Sequence, residues 1–177
     1  LDRKWWNVHG IDAEANSDEY RSHAERGYRA VQGRVEATSS QVLLHHHQRF
    51  DGSGFPTIES KHKERAVREQ KGSNIHVFNR IVAVANVLDA LISAATKRGY
   101  PLVTALAAIQ RPALTGVFDP IVLDAALRTL PPFPLGASVT LSDERQAVVT
   151  GLNELTPCQP VVRILQLLGD FHVALGQ

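Results

Sequence analysis

The chain has 177 residues, a formal net charge of +1, 44% hydrophobic and 21% charged residues, and a single cysteine, Cys158. That balance is the one of an ordinary globular protein, and it gives no electrostatic case for a nucleic acid or a membrane surface as partner. An internal disulfide is excluded, no apolar run reaches the roughly 18 residues that a membrane span needs, and a reducing, cytoplasmic setting is expected. Methionine is absent and the chain opens at Leu1, which leaves a preceding segment open.

Residues 1–16 read as irregular, with Trp5-Trp6 as their apolar anchor. Ser17 has the chemistry of a helix N-cap, and Asp18 and Glu19 suit the positive end of a first turn, so a helix is predicted over Ser17–Arg34. Tyr20, His23 and Gly27 share one face of it. Thr38-Ser39-Ser40 reads as a capping turn before a second helix, Gln41–Phe50. Residues 59–72 are dense in charge and read as a solvated helix or loop above whatever follows Pro56. The periodicity over Ile75–Ile92 is that of a long helix with an apolar stripe wide enough for nearly complete burial. Leu102–Gln110 is a short helix, and Asp119-Pro120, a cap followed by a favourable first position, opens another over Pro120–Leu130. After Pro131-Pro132-Phe133-Pro134 the pattern changes to three short β-rich runs, Ala137–Leu141, Gln146–Leu152 and Gln159–Leu165, which read as an antiparallel meander. The predicted architecture is mainly α, a helical bundle over 1–130 with a small β-rich extension over 131–177.

Chemistry concentrates in one stretch, His45-His46-His47-Gln48-Arg49-Phe50-Asp51-Gly52-Ser53-Gly54-Phe55-Pro56. Neutral imidazole is a ready ligand for Zn, Fe, Mn or Ni. Adjacent helical residues point about 100° apart, so His46 and His47 on a helix suggest two or more ions side by side, each taking one of them. The Gly-Ser-Gly turn lets backbone approach a ligand closely, with Phe55-Pro56 as a wall.

This stretch resembles the HD-GYP family, bacterial phosphodiesterases that open cyclic di-GMP, whose block reads His-His-Glu-x-x-Asp-Gly-Ser-Gly-Tyr-Pro. Gln48 stands at the Glu position and Phe55 at the Tyr. His23-Ala24-Glu25-Arg26-Gly27 is similar to the family's His-Pro-x-x-Gly. Spacing alone reads His23 as a helix-face histidine with a polar partner; the resemblance makes it a metal ligand. Arg80-Ile81-Val82-Ala83-Val84-Ala85-Asn86-Val87-Leu88-Asp89-Ala90-Leu91 is similar to a third family segment, with Asn86 where the family has a ligand Asp. An amide can coordinate but brings no negative charge. The His-Asp pair that names the superfamily does not occur in these 177 residues; Leu1-Asp2 with Lys4 and, separately, His9 are the nearest candidates. Lys97 and Arg98 keep positive charge where the family's phosphate-holding cations lie, without its register.

The resemblance thus implies an HD-superfamily helical bundle with His23, His46, His47 and Asn86 as metal ligands. Asp51, Gly52, Gly54, Phe55, Pro56, Lys97 and Arg98 would be substrate contacts, and a divalent transition metal, Fe or Mn before Zn or Ni, the cofactor, its site partly lost. Three departures (no His-Asp pair, Asn86, Gln48) favour a catalytically impaired sensor of cyclic di-nucleotide or an interaction module for a protein partner. The alternatives are an active cyclic di-GMP phosphodiesterase and a phosphohydrolase using one or two metals on another nucleotide. A homodimer is left open.

Overall fold

The computed structural model describes residues 18–56, 70–93 and 100–165. The expectations for Leu1-Asp2, Lys4, Trp5-Trp6, His9 and Ser17, and for residues 57–69, 94–99 and 166–177, lie outside them. The chain divides into two units, 1–130 and 131–177.

Among the described residues the first unit has five α-helices: α1 Asp18–Val31, α2 Ala37–His45, α3 Val77–Ile92, α4 Leu102–Ala108 and α5 Pro120–Thr129. Helix α1 packs on α2, α2 on α3, and α3 on both α4 and α5. The core lies at the α3–α4–α5 end, where Val84, Leu88, Ala105, Leu106, Ile109 and Phe118 are buried together. At the other end Tyr20 and Ala24 of α1 are buried, with Ile75 just ahead of α3. Helix α1 stops short of Arg34 because Gly33 takes a positive φ of 77°, the left-handed turn that closes many helices.

Two expectations are corrected. Helix α2 starts at Ala37, four residues early, and ends at His45, five early. Thr38, Ser39 and Ser40 lie inside it: Ser40 Oγ donates to the Ala37 carbonyl 2.8 Å away, so this hydroxyl is satisfied within the helix instead of capping it. Helix α3 is not nearly buried. Val84 and Leu88 face the core, but Phe78 is 51% and Ile81 48% exposed. A wide apolar stripe records what a helix could cover, not what packs against it.

The cap before α5 is as expected, with Asp119 Oδ1 accepting from Ile121 N at 2.8 Å. The same carboxylate, 3% exposed as a residue, also pairs with Arg80 of α3 and so ties the two helices together. Burial pushes the Asp119 carboxyl up, but the Arg80 guanidinium and the N–H groups of Ile121 and Val122 outweigh it and hold it below the usual carboxylate value. A depressed folded-state value means that the contribution is fully present above the ordinary carboxylate pKa and is lost as pH falls through the folded one. Asp119→Ala should therefore destabilise the chain by about 3 kcal/mol at neutral pH, since it removes a cap and strands a mostly buried Arg80. Urea unfolding of both proteins at stepwise lower pH checks this. The gap should narrow towards acid, and a gap independent of pH would contradict the assignment.

The described residues of the second unit form a three-stranded antiparallel sheet in the order β1 (Ser138–Thr140), β2 (Gln146–Gly151), β3 (Val161–Ile164). Ala147 and Val149 of the central strand are buried, the period-two alternation of a sheet with one covered face. The meander is as expected, with each strand shorter by one to three residues at its ends.

Candidate metal centre

Three histidines converge. His23 comes from α1, His46 is the C-cap of α2, and His47 follows it. The Nε2 of His23 lies 3.1 Å from the Nε2 of His46 and 3.1 Å from that of His47. One ligand atom from each ring lies within 4.8 Å of the others, and no Asp, Glu or Cys joins the group among the described residues. Helix α2 ends at His45, with the capping His46 still in αR backbone, and His47 follows directly. The ring centroids of His46 and His47 are 4.1 Å apart, and both reach the same His23 nitrogen.

The hydrogen bonds fix which nitrogens are free. His23 Nδ1 lies 2.5 Å from the Tyr20 carbonyl, and His46 Nδ1 lies 2.7 Å from that of Leu43. A carbonyl only accepts, so both Nδ1 atoms carry a proton, and Nε2 is the atom of each ring that faces the centre. Such carbonyl-anchored imidazoles are the usual support of metal-bound histidine. Burial, then the neighbouring His46, His23 and Arg49, lower His47 to about 2, so its ring is uncharged at neutral pH. His46 is lowered too, by burial first and by His23, against the opposing pull of the Leu43 carbonyl.

The facing Nε2 lone pairs of His23 and His46 repel unless a cation lies between them. Two nitrogens 3.1 Å apart subtend about 95° at an ion roughly 2.1 Å from each, inside the range that divalent transition metals adopt. Two of the three nitrogen pairs have this spacing and the third lies within 4.8 Å, so the donor set suits a divalent transition metal with positions left open.

The turn after α2 holds this arrangement. Asp51 Oδ1 accepts from the backbone N and Oγ of Ser53, and Gly52 takes φ 85°, so both residues build the turn. Gly54 lies so close to the His47–Arg49 backbone that a Cβ there would overlap the His47 carbonyl oxygen. The missing side chain makes room for the chain itself. Buried Gln48 donates through Nε2 to the Pro56 carbonyl at 2.6 Å. A carboxylate could not make that bond, so the exchange of Glu for Gln at this position contributes a turn-closing donor. Phe55 stacks on His47, centroids 4.5 Å apart and planes at 19°.

Of the site residues predicted from sequence, His23, His46, His47 and Phe55 come together, Pro56 is held beside them through Gln48, and Lys97 and Arg98 lie outside the described residues. Asn86 is half-buried on α3, seven residues beyond Asn79. Asn79 Nδ2 is within 3.5 Å of the Gln41 and Val42 carbonyls, so by helical period Asn86 is on the α3 face that meets α2. Sequence reasoning missed two neighbours. The Tyr20 ring lies 4.8 Å from His23 and 5.7 Å from His47, and burial raises its hydroxyl pKa. The Arg21 guanidinium carbon is 5.6 Å from the Phe55 ring centre. The three-residue step from Tyr20 to His23 was the available signal for the first.

An HD domain family model matches residues 9–122. The chain is 35% identical over 144 residues to the cyclic di-GMP phosphodiesterase PA4108 of Pseudomonas aeruginosa, covering 77% of this chain and 31% of that protein. It is 38% identical over 112 residues to the cyclic di-GMP phosphodiesterase response regulator RpfG of Xanthomonas campestris pv. campestris, covering 60% of this chain and 26% of that one. The chain thus spans about a third or less of these relatives. No solved structure matches it. The histidine block, the helical architecture and these matches agree: the chain belongs to the HD domain family, as a divergent member of the HD-GYP type.

Proposed function

We propose that this domain binds a divalent transition metal through His23, His46 and His47, and through it the phosphodiester of cyclic di-GMP, as a sensor with little or no turnover. The observation that carries the reading is the composition of the centre: three imidazoles that converge, with no carboxylate among them in the described residues. In such a centre a bound ion supplies Lewis acidity and a lowered pKa for its water. The imidazoles orient the ion, the Phe55 ring walls the cleft beside His47, and Asn86 takes the place of a carboxylate ligand without its charge. A carboxylate there would neutralise the ion and accept a proton from bound water; an amide does neither. The two curated relatives, named as cyclic di-GMP phosphodiesterases, supply the ligand class.

The test is elemental analysis of the purified chain, then calorimetric titration with cyclic di-GMP and a hydrolysis assay in Mn or Fe buffer. Binding that needs the metal, without release of linear dinucleotide, is expected. Asn86→Asp should tighten metal binding about tenfold by adding a charged ligand. Multiple turnovers by the unaltered chain would replace this reading with that of a working phosphodiesterase, and a chain that holds no metal would end both.

A further inference from the structure

Between α2 and the start of α3 lies a cavity of about 290 Å³ whose lining includes none of the three converging histidines. Its buried lining is His45 of α2 with Ile75 and Asn79, and Thr38, Gln41 and Gln70 form more open parts of its wall. Asn79 Nδ2 lies 3.4 Å from the Gln41 carbonyl and 3.5 Å from that of Val42, which ties α3 to α2 along this wall.

His45 leaves this lining with an unpaired atom. The residue is 8% exposed, and its Nδ1 is buried without a hydrogen-bond partner among the described residues. Buried polar atoms nearly always have a partner, because burial removes their water and an unpaired atom gains nothing in its place. A ligand in the cavity would supply the partner.

Size and lining indicate its chemistry. A volume of about 290 Å³ is at the small end of ligand sites and suits a single heterocycle. Ile75 and the imidazole of His45 offer apolar and aromatic surface on which a planar ring can lie. The carboxamides of Gln41 and Gln70 each carry a donor and an acceptor side by side, the pair that matches the amino group and N7 of adenine.

We propose that this cavity is a second ligand site, separate from the metal centre, taking a purine base of the adenine type that hydrogen-bonds to His45 Nδ1. It stands on the cavity and the unpaired nitrogen, and it needs no metal.

The test is calorimetric titration of the full chain with adenosine, with ribose as the comparison. Saturable binding of one adenosine per chain is expected, and none of ribose. His45→Phe keeps a ring of similar size and removes the nitrogen, so it should weaken adenosine binding about tenfold, the scale of one hydrogen bond. Thr38→Phe leaves His45 in place and fills the cavity from its more open side, so it should weaken binding at least as far, and it decides the matter should His45→Phe fail to fold. Stripping metal with a chelator should leave adenosine binding unchanged. The proposal is overturned by absence of saturable adenosine binding, by ribose binding equally well, or by either variant, folded, binding adenosine like the unaltered chain. Loss of adenosine binding on chelation also overturns it, since that would place the ligand on the histidine centre. Adenosine binding that survives chelation and fails in the folded variants supports it, whatever cyclic di-GMP does.

Discussion

His23→Ala should abolish stoichiometric metal binding, lowering metal affinity by about a hundredfold or more, while leaving the metal-free chain folded. His23 is the pivot of the centre, since its Nε2 is the atom 3.1 Å from both other Nε2 atoms. Removing it leaves two adjacent imidazoles from one helix end, a weak chelate compared with three converging donors. The metal-free fold is spared because His23 is only partly buried, its Nδ1 bond to Tyr20 is local to α1, and Ala is the best helix former. A ligand that binds only the native state stabilises it by about 2.7 kcal/mol at a hundred times its dissociation constant. The thermal midpoint of the unaltered chain should therefore rise on adding metal, and that of His23→Ala should not. His76→Ala is the useful contrast. It removes the N-cap of α3, whose Nδ1 accepts from Phe78 N at 3.3 Å, and should cost about 1 kcal/mol without touching metal content. Equal metal per chain in His23→Ala and in the unaltered protein would remove His23 from the centre.

The centre was legible in the sequence because its densest part is contiguous. Two ligands, the turn and the stacking Phe55 all lie within Val42–Pro56, where local chemistry dictates local geometry. What could not be read depends on docking between distant segments. Tyr20 and Arg21 matter only because α1 lies beside the turn at Phe55, more than thirty residues on. The Arg80–Asp119 pair spans 39 residues, and the cap role of Asp119 was visible while its partner was not. Gln48 reads as a lost acid until its amide is found donating to Pro56.

Helix ends show the same division. Residue preference predicted α5 to within one residue, because Asp119 and Pro120 act on their own first turn. It misplaced the start of α2, because Ser and Thr are equally at home capping a helix or bonding back into one. Hydrophobic period located α3 but overstated its burial, since Phe78 and Ile81 satisfy the pattern and still face outward.

Gly54→Ala should be the most damaging single-methyl change in the turn, costing about 3 kcal/mol and weakening metal binding with it. The added Cβ would overlap the His47 carbonyl oxygen and stand 2.5 Å from Arg49 N and 2.6 Å from Gln48 Cα. All three are backbone atoms, so no side chain can swing aside to relieve the contact. The turn must move away from the end of α2 instead. Two hydrogen bonds cross that seam, Phe55 N to the His47 carbonyl at 3.3 Å and Gln48 Nε2 to the Pro56 carbonyl at 2.6 Å, and opening it strains both. It also pulls Phe55 from its stack on His47, so a ligand ring loses its support and the three nitrogens lose their common point. Gly27→Ala provides the control within α1. Nothing lies within 4 Å of a Cβ built there, so the change should stabilise the chain by about 0.5–1 kcal/mol through helix propensity alone. Urea unfolding paired with metal titration separates the two variants. If Gly54→Ala unfolds at the midpoint of the unaltered chain and holds metal equally well, the close seam between the turn and His47 does not support the centre.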